Sequence, residues 1–364
     1  MLPLRSAPDN ICILRLSAIG DVTNVLPVLR TLQYHWPETS LTWIVGRTEA
    51  SLVEDVQGVE LVVVDKQKGL GSLWELRRKL GGRSFDVFLH MQATWRANLC
   101  SLAVRAPIRL GFDRARARNQ QWMFRNAAID SNPRQHVLDG FLAFPHAMGL
   151  TDTILRWNLP IPPSAREFAR KCMPGKTTYL VINPCSSVRI RNFRNWSVDS
   201  YTEVIDYAAS RYGMRTVLTG GPSSMEKEYA EAIISNTKHP VVNLVGGTSL
   251  KQLAAVLERA AAVIAPDTGP LHIANAVGAP VIGMYATSNP ERTGPYLNRD
   301  LMVNRYPDAV REEFGKEVED LPWGQRVRNP HAMSLIGVEE VWQKLDHALQ
   351  RSTDSLLHHA DGRH

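Results

Sequence analysis

One acid stands where it could take a proton. The segment Leu14-Arg-Leu-Ser-Ala-Ile-Gly-Asp-Val-Thr-Asn leaves the first apolar run of the chain and ends its turn on Asp21. In an open α/β sheet, ligands sit beyond the carboxyl ends of the strands, so Ser17, Gly20 and Asp21 fall on an expected rim. Gly20 admits close backbone approach or a positive φ. Asp21 can serve as a helix cap or as a general base, and spacing alone leaves both readings open. The segment has one glycine and so lacks the G-x-G-x-x-G fingerprint, which disfavours a nicotinamide enzyme.

A second constellation is denser. Val263-Ile-Ala-Pro-Asp-Thr-Gly-Pro-Leu-His places a strand end, a polar turn and a helix start within one short stretch. The N–H groups and partial positive charge of a helix N-terminus suit a phosphate or diphosphate. Asp267, Thr268 and Gly269 would line that turn, with His272 three residues into the helix. Two other loops should reach the same rim. Pro184-Cys-Ser-Ser-Val-Arg-Ile-Arg-Asn-Phe-Arg-Asn-Trp carries Ser186, Ser187, Arg189, Arg191 and Arg194 and no acid, and a guanidinium fork matches phosphate oxygens. Gly220-Gly-Pro-Ser-Ser-Met-Glu offers Gly221 for close approach, and Glu226 or its serines for a ribose hydroxyl. Gly246-Gly-Thr could flank a base or sugar. Together these loops point to a nucleotide diphosphate.

The elements that must carry these residues follow from periodicity. Short apolar runs at 11–16, 41–46, 59–64 and 86–89 alternate with helical patterns at 25–36, 70–80, 95–104 and 137–148. After a proline-rich stretch the rhythm restarts, with strands expected at 179–183, 216–219, 241–244, 262–265 and 280–285. Helices are expected between them at 200–212, 225–235, 250–259 and 269–277, and at 338–350. Strand–helix alternation means βαβ units and parallel sheets. The expected division is a first domain over 1–158, a linker over 159–177, a second domain over 178–337, and a C-terminal helix and frayed tail over 338–364. The segment 298–334 is either a lid or a surface insert.

With 364 residues, 44% hydrophobic and 21% charged, the chain is globular and long enough for two domains. Its four cysteines are scattered and show no metal-like spacing with histidine, as expected of reduced thiols in a cytoplasmic protein. No signal peptide is recognisable, and no apolar run is long enough to span a bilayer. The net charge of +6 admits nucleic acid, an anionic membrane or a phosphorylated substrate. Eight arginines and two aspartates lie between Arg96 and Arg134, without lysine or glutamate, and the rest of the chain balances. Arg114-Ala-Arg-Ala-Arg alternates cations with small residues there, and Trp122, Met123 and Phe124 follow.

The combined pattern resembles glycosyltransferase family nine, the ADP-heptose:lipopolysaccharide heptosyltransferases. The resemblance rests on Arg15-Leu-Ser-Ala-Ile-Gly-Asp-Val, the Trp196 loop, Gly220-Gly-Pro, Asp267-Thr-Gly-Pro-Leu-His and Gly278-Ala-Pro-Val-Ile-Gly-Met-Tyr, and it spans most of residues 10–350. It implies a GT-B fold, two Rossmann-like βαβ domains facing a central cleft, with acceptor on the first domain and nucleotide-sugar donor on the second. It also implies that Asp21 is the general base and that Arg194 meets the donor phosphate beside Thr268, Gly269 and His272. The implied reaction is an inverting, metal-independent transfer of heptose from ADP-heptose to Kdo-lipid A, with no cofactor. Arg96, Arg114, Arg116 and Arg118 would then meet the anionic acceptor, with Ser17 and Gly20. The protein would be a monomer at the inner face of the cytoplasmic membrane. A nucleotide-sugar epimerase or hydrolase, or transfer of another sugar, is the alternative. Nucleic acid is disfavoured, because no RNP, zinc or helix-turn-helix pattern occurs.

Overall fold

The computed structural model describes residues 2–69, 71–132, 134–186 and 193–361. Ser187, Arg189 and Arg191 lie outside the described residues. The chain divides into two compact units, Met1–Pro160 and Ile161–His364.

In the first unit the strands are β1 (Asn10–Leu14), β2 (Ser40–Gly46), β3 (Val59–Val64), β4 (Val87–His90), β5 (Ile108–Gly111) and β6 (Ala127–Ala128). They form one sheet in the order β3-β2-β1-β4-β5-β6, and every pairing is parallel. In the second unit β7 (Tyr179–Ile182), β8 (Arg215–Leu218), β9 (Val241–Asn243), β10 (Ala262–Pro266), β11 (Val281–Tyr285) and β12 (Val303–Asn304) are again all parallel. Their order, β12-β11-β10-β7-β8-β9, is the same winding. Strand order reverses direction between β1 and β4 in one sheet and between β7 and β10 in the other. A doubly wound sheet opens its ligand crevice at that switch.

The inner strands β4, β7, β10 and β11 are buried at every residue. Helices cover both faces of such a sheet, so these strands read as continuous apolar runs without alternation. Three strands had no sequence counterpart. β6 and β12 are two residues each. β5 carries Arg109, whose guanidinium lies 4.8 Å over the Phe88 ring and donates to the carbonyls of Val104, Ser101 and Phe124. A charged residue inside a strand hides the apolar signal, and here the charge is absorbed by carbonyls and a ring.

Three expected boundaries differ. The stretch expected as a linker holds the helix Pro163–Cys172, whose Ala165 and Ala169 are buried and whose Arg166 pairs with Glu258 at 2.8 Å. Proline opens this helix at its first positions, where no N–H is needed, so the prolines mark a helix start. The C-terminal helix runs Val338–Asp361, beyond the expected end, and buries Val341, Leu345 and Ala348 in the core of the second unit. The segment 298–334 is more than a surface insert, since it supplies β12 and part of the core of the second unit. Its helix Tyr306–Phe314 sends Tyr306, Ala309 and Val310 into that same core, joined by Val327 and Met333.

Candidate active site

At the first switch point the turn after β1 is pinned from both sides. The Gln92 side chain, just past β4, accepts from the Leu16 N–H at 2.7 Å and donates to the Ser17 hydroxyl at 3.1 Å. The Gly46 N–H at the end of β2 bonds the Leu16 carbonyl at 3.1 Å. The chain then enters the short helix Ile19–Thr23. Gly20 lies inside this helical turn and is buried, so the positive φ considered for it is not used.

Asp21 serves the start of its helix, one of the two readings its spacing left open. Its carboxylate accepts the Ala18 N–H at 3.3 Å, as a residue of the first helical turn does. It also forms an ion pair with Arg15. The other arm of Arg15 donates to the Met91 carbonyl at 2.6 Å, and the guanidinium lies 5.0 Å over the Phe141 ring. The arginine side chain is 12% exposed and the carboxylate 32%, so the cation is enclosed and the acid remains reachable. A carboxylate held in one orientation with an open face is what proton abstraction requires.

The arginine-rich segment splits by burial. Arg109 is spent inside, as described. Arg116 forms an ion pair with Asp113, donates to the Asp130 carbonyl at 2.6 Å and lies over Phe112. Arg96, Arg114 and Arg118 are exposed. Of the four arginines expected to meet an acceptor, three present free surface and Arg116 is committed to its own loop.

The second switch point gathers a charged cluster around the turn between β10 and the helix Gly269–Ala276. Asp267 is buried. Its carboxylate accepts from the Ser288 hydroxyl at 2.8 Å and faces Arg194 at 3.5 Å and His272 at 3.9 Å. Arg194 donates to the Asp267 main-chain carbonyl at 2.6 Å. Thr268 occupies the N-cap position but makes no cap bond, and its hydroxyl oxygen is enclosed without a hydrogen-bond partner. Gly269 opens the helix. Ser186 is tied to the residue after Arg194, its N–H donating to the Asn195 side chain at 2.9 Å. This places a guanidinium, an unengaged hydroxyl and a helix N-terminus together, a set suited to an oxyanion. Burial pushes the Cys185 thiol up to about 12, which leaves it inert as a nucleophile.

Gly221 and Glu226 belong to a separate loop. Glu226 accepts from the Gly221 N–H at 2.9 Å and the Ser223 hydroxyl at 2.7 Å. The close approach at Gly221 is therefore to Glu226, since an added Cβ would lie 2.7 Å from its Oε2. Glu226 shapes its loop with both oxygens.

Sequence reasoning passed over Arg15, Gln92 and Ser288 as site residues. Each follows the carboxyl end of a strand beside a switch point, which is the signal that could have found them. Among the described residues, no three His, Cys, Asp or Glu side chains form a metal-holding group. Among those residues no helix is long and apolar enough to cross a membrane.

Comparison with known proteins adds the following. The model of glycosyltransferase family 9 (heptosyltransferase) matches residues 73–320. The lipopolysaccharide core heptosyltransferase OpsX of Haemophilus influenzae is 37% identical over 335 residues, 92% of this chain and 95% of that protein. A family 9 glycosyl transferase of Veillonella parvula superposes with a TM-score of 0.78 at 22% identity, covering 96% of this chain and 99% of that one. The E. coli heptosyltransferase WaaC with ADP gives 0.72 at 19% identity, covering 93% and 99%.

Proposed function

The chain belongs to glycosyltransferase family 9, the heptosyltransferases, and from that premise we propose that it moves a heptose from ADP-heptose to the Kdo-lipid A inner core, with inversion and without a metal. It is an α/β glycosyltransferase of the GT-B class, and its relatives act in lipopolysaccharide synthesis. The observation that carries the proposal is the Arg15–Asp21 pair, an oriented and reachable carboxylate at the switch point of the first sheet.

In this reading Asp21 accepts the proton of an acceptor hydroxyl as its oxygen attacks the anomeric carbon. The bond from that carbon to the diphosphate breaks on the opposite face, and ADP leaves with the electron pair. Charge developing on the diphosphate is met by Arg194, the N–H groups of the helix Gly269–Ala276, the Thr268 hydroxyl and His272. Asp267 and Ser288 hold Arg194 and the turn in place. Acceptor acids meet Arg96, Arg114 and Arg118. The protein works as a monomer at the inner face of the cytoplasmic membrane.

The test is ADP release and product formation with ADP-heptose and Kdo-lipid A, run beside donor alone and beside binding of ADP, UDP and GDP. Acceptor-dependent transfer with preference for ADP is expected. Donor breakdown without acceptor, or preference for UDP, refutes it.

A further inference from the structure

The first unit exposes large apolar side chains on two helices that cover the same face of its sheet. The helices Gly71–Leu80 and Trp95–Ser101 both bury residues in one core cluster, Leu76 and Leu80 from the former and Ala97 and Cys100 from the latter. Their outer surfaces therefore point away from the sheet on the same side. Trp74 stands out from the first of these helices at 74% exposure, and Trp95 from the second at 52%. Leu99 and Leu102 continue the stripe from Trp95 at helical spacing and are also exposed. The short turn Gln121–Phe124 adds exposed Trp122 and Met123. That turn is anchored from below by Gln121, which donates to the His90 carbonyl at 2.8 Å, and Asn98 of the helix donates to the neighbouring Asn119 carbonyl at 2.6 Å.

Cations border this surface. Arg77 and Arg78 lie three and four residues after Trp74, on its side of the helix, and are exposed, as is Arg96 beside Trp95. The Arg114 guanidinium lies 5.2 Å over the Trp122 ring, and Arg118 is exposed nearby in sequence. The nearby acids are neutralised within the unit. Glu75 is held between Lys68 and Lys79, and Asp113 is buried against Arg116.

Exposed apolar area of this kind marks an interaction surface. Protein–protein interfaces also favour tryptophan, methionine and arginine, but an apolar face bordered by exposed cations, with the neighbouring acids already paired, complements the headgroup layer of an anionic bilayer. We propose that this face, built on Trp74, Trp95, Leu99, Leu102, Trp122 and Met123, docks the protein on a bilayer of anionic phospholipid. The helix Trp95–Ser101 starts three residues after Gln92, which clamps Ser17 at the rim that bears Asp21. Docking there brings the base to the level at which the sugar of a lipid-anchored acceptor emerges. That consequence rests on the acceptor reading above, but the lipid affinity does not.

The test uses the full chain, without donor or acceptor, in flotation with vesicles of phosphatidylcholine alone and with phosphatidylglycerol added. Binding to the anionic vesicles, weakened by salt, is expected. The variant W74S/L99S/L102S is expected to lose about tenfold or more in vesicle affinity, and W74F with W122F to retain it. All three substituted side chains are exposed, and unchanged melting temperature together with unchanged ADP affinity shows that the variant is folded. Wild-type protein that ignores anionic vesicles overturns the proposal, as does a serine variant that binds them equally well. Concentration-dependent dimers that the serine variant abolishes, without vesicle binding, would assign the face to a second copy of the chain and likewise overturn it.

Discussion

Arg15 holds the Asp21 carboxylate with one arm and the Met91 carbonyl with the other, so a single side chain ties the turn after β1 to the turn after β4. The acid is thereby fixed by the sheet as well as by the Ala18 N–H at the start of its own five-residue helix. Replacing Asp21 with Asn should keep the side chain's shape and remove the proposed base. Turnover should fall about 10²–10⁴-fold, while ADP affinity measured by calorimetry stays as in the wild type. Near wild-type turnover would exclude Asp21 as the base.

Arg15→Lys preserves the charge but cannot reach both partners, because an ammonium lacks the planar fork. Asp21 would then be paired yet no longer tethered to β4. We expect kcat to fall about tenfold or more through misorientation, with donor affinity unchanged. A loss confined to KM for the donor would contradict this role.

At the second switch point Asp267 is the counter-charge of Arg194 and the acceptor for Ser288. Asp267→Ala should raise the dissociation constant for ADP at least tenfold and lower stability in urea by about 2 kcal/mol, the scale for a hydrogen bond to a buried charge. Ser288→Ala removes one of these contacts and should cost about 1 kcal/mol. If both variants bind ADP normally, the cluster is structural only.

Gly46 packs tightly beside the first site. An added Cβ would lie 2.5 Å from the Leu16 carbonyl and from Glu49 Oε2, whose carboxylate is paired with Lys66 at 2.7 Å. Gly46→Ala therefore displaces the backbone that leads to Asp21. A fall in kcat together with a lower melting temperature is expected, with ADP affinity intact. Unchanged kinetics would mean that the turn absorbs the methyl group.

Burial, reinforced by the Arg109 guanidinium, pushes the His90 imidazole down to about 3. The unfolded chain, with an ordinary imidazole near 6.5, takes up a proton below that pH that the folded protein does not bind. His90 costs nothing above pH 6.5, and stability is lost as pH falls from there toward 3, by up to about 1.4 kcal/mol per pH unit. His90→Gln should flatten this acid limb in urea midpoints recorded between neutral pH and pH 4. An unchanged slope would assign the acid sensitivity to other groups.

The buried strands were legible because their apolar runs are continuous, and Asp21 and the Asp267–His272 turn because they follow those runs directly. Harder to read were features whose residues are spent against type. Arg109 sits in a strand, and Arg116 closes a loop with Asp113. Glu226 shapes its own turn where a sugar contact was expected. The partners that orient the site, Arg15, Gln92 and Ser288, act across strands far apart in sequence. Periodicity does not report such pairings.

The helix Pro163–Cys172 lies wholly in the second unit, as does the C-terminal helix, so the chain passes from one unit to the other once, between Pro160 and Ile161. Among the described residues, neither sheet borrows a strand from the opposite half. Each half is therefore a transplantable cassette, and a graft with one junction at that peptide exchanges one entire sheet for that of a relative. On the proposed division of acceptor and donor between the units, acceptor choice and sugar choice can be recombined at the bench without rebuilding either core.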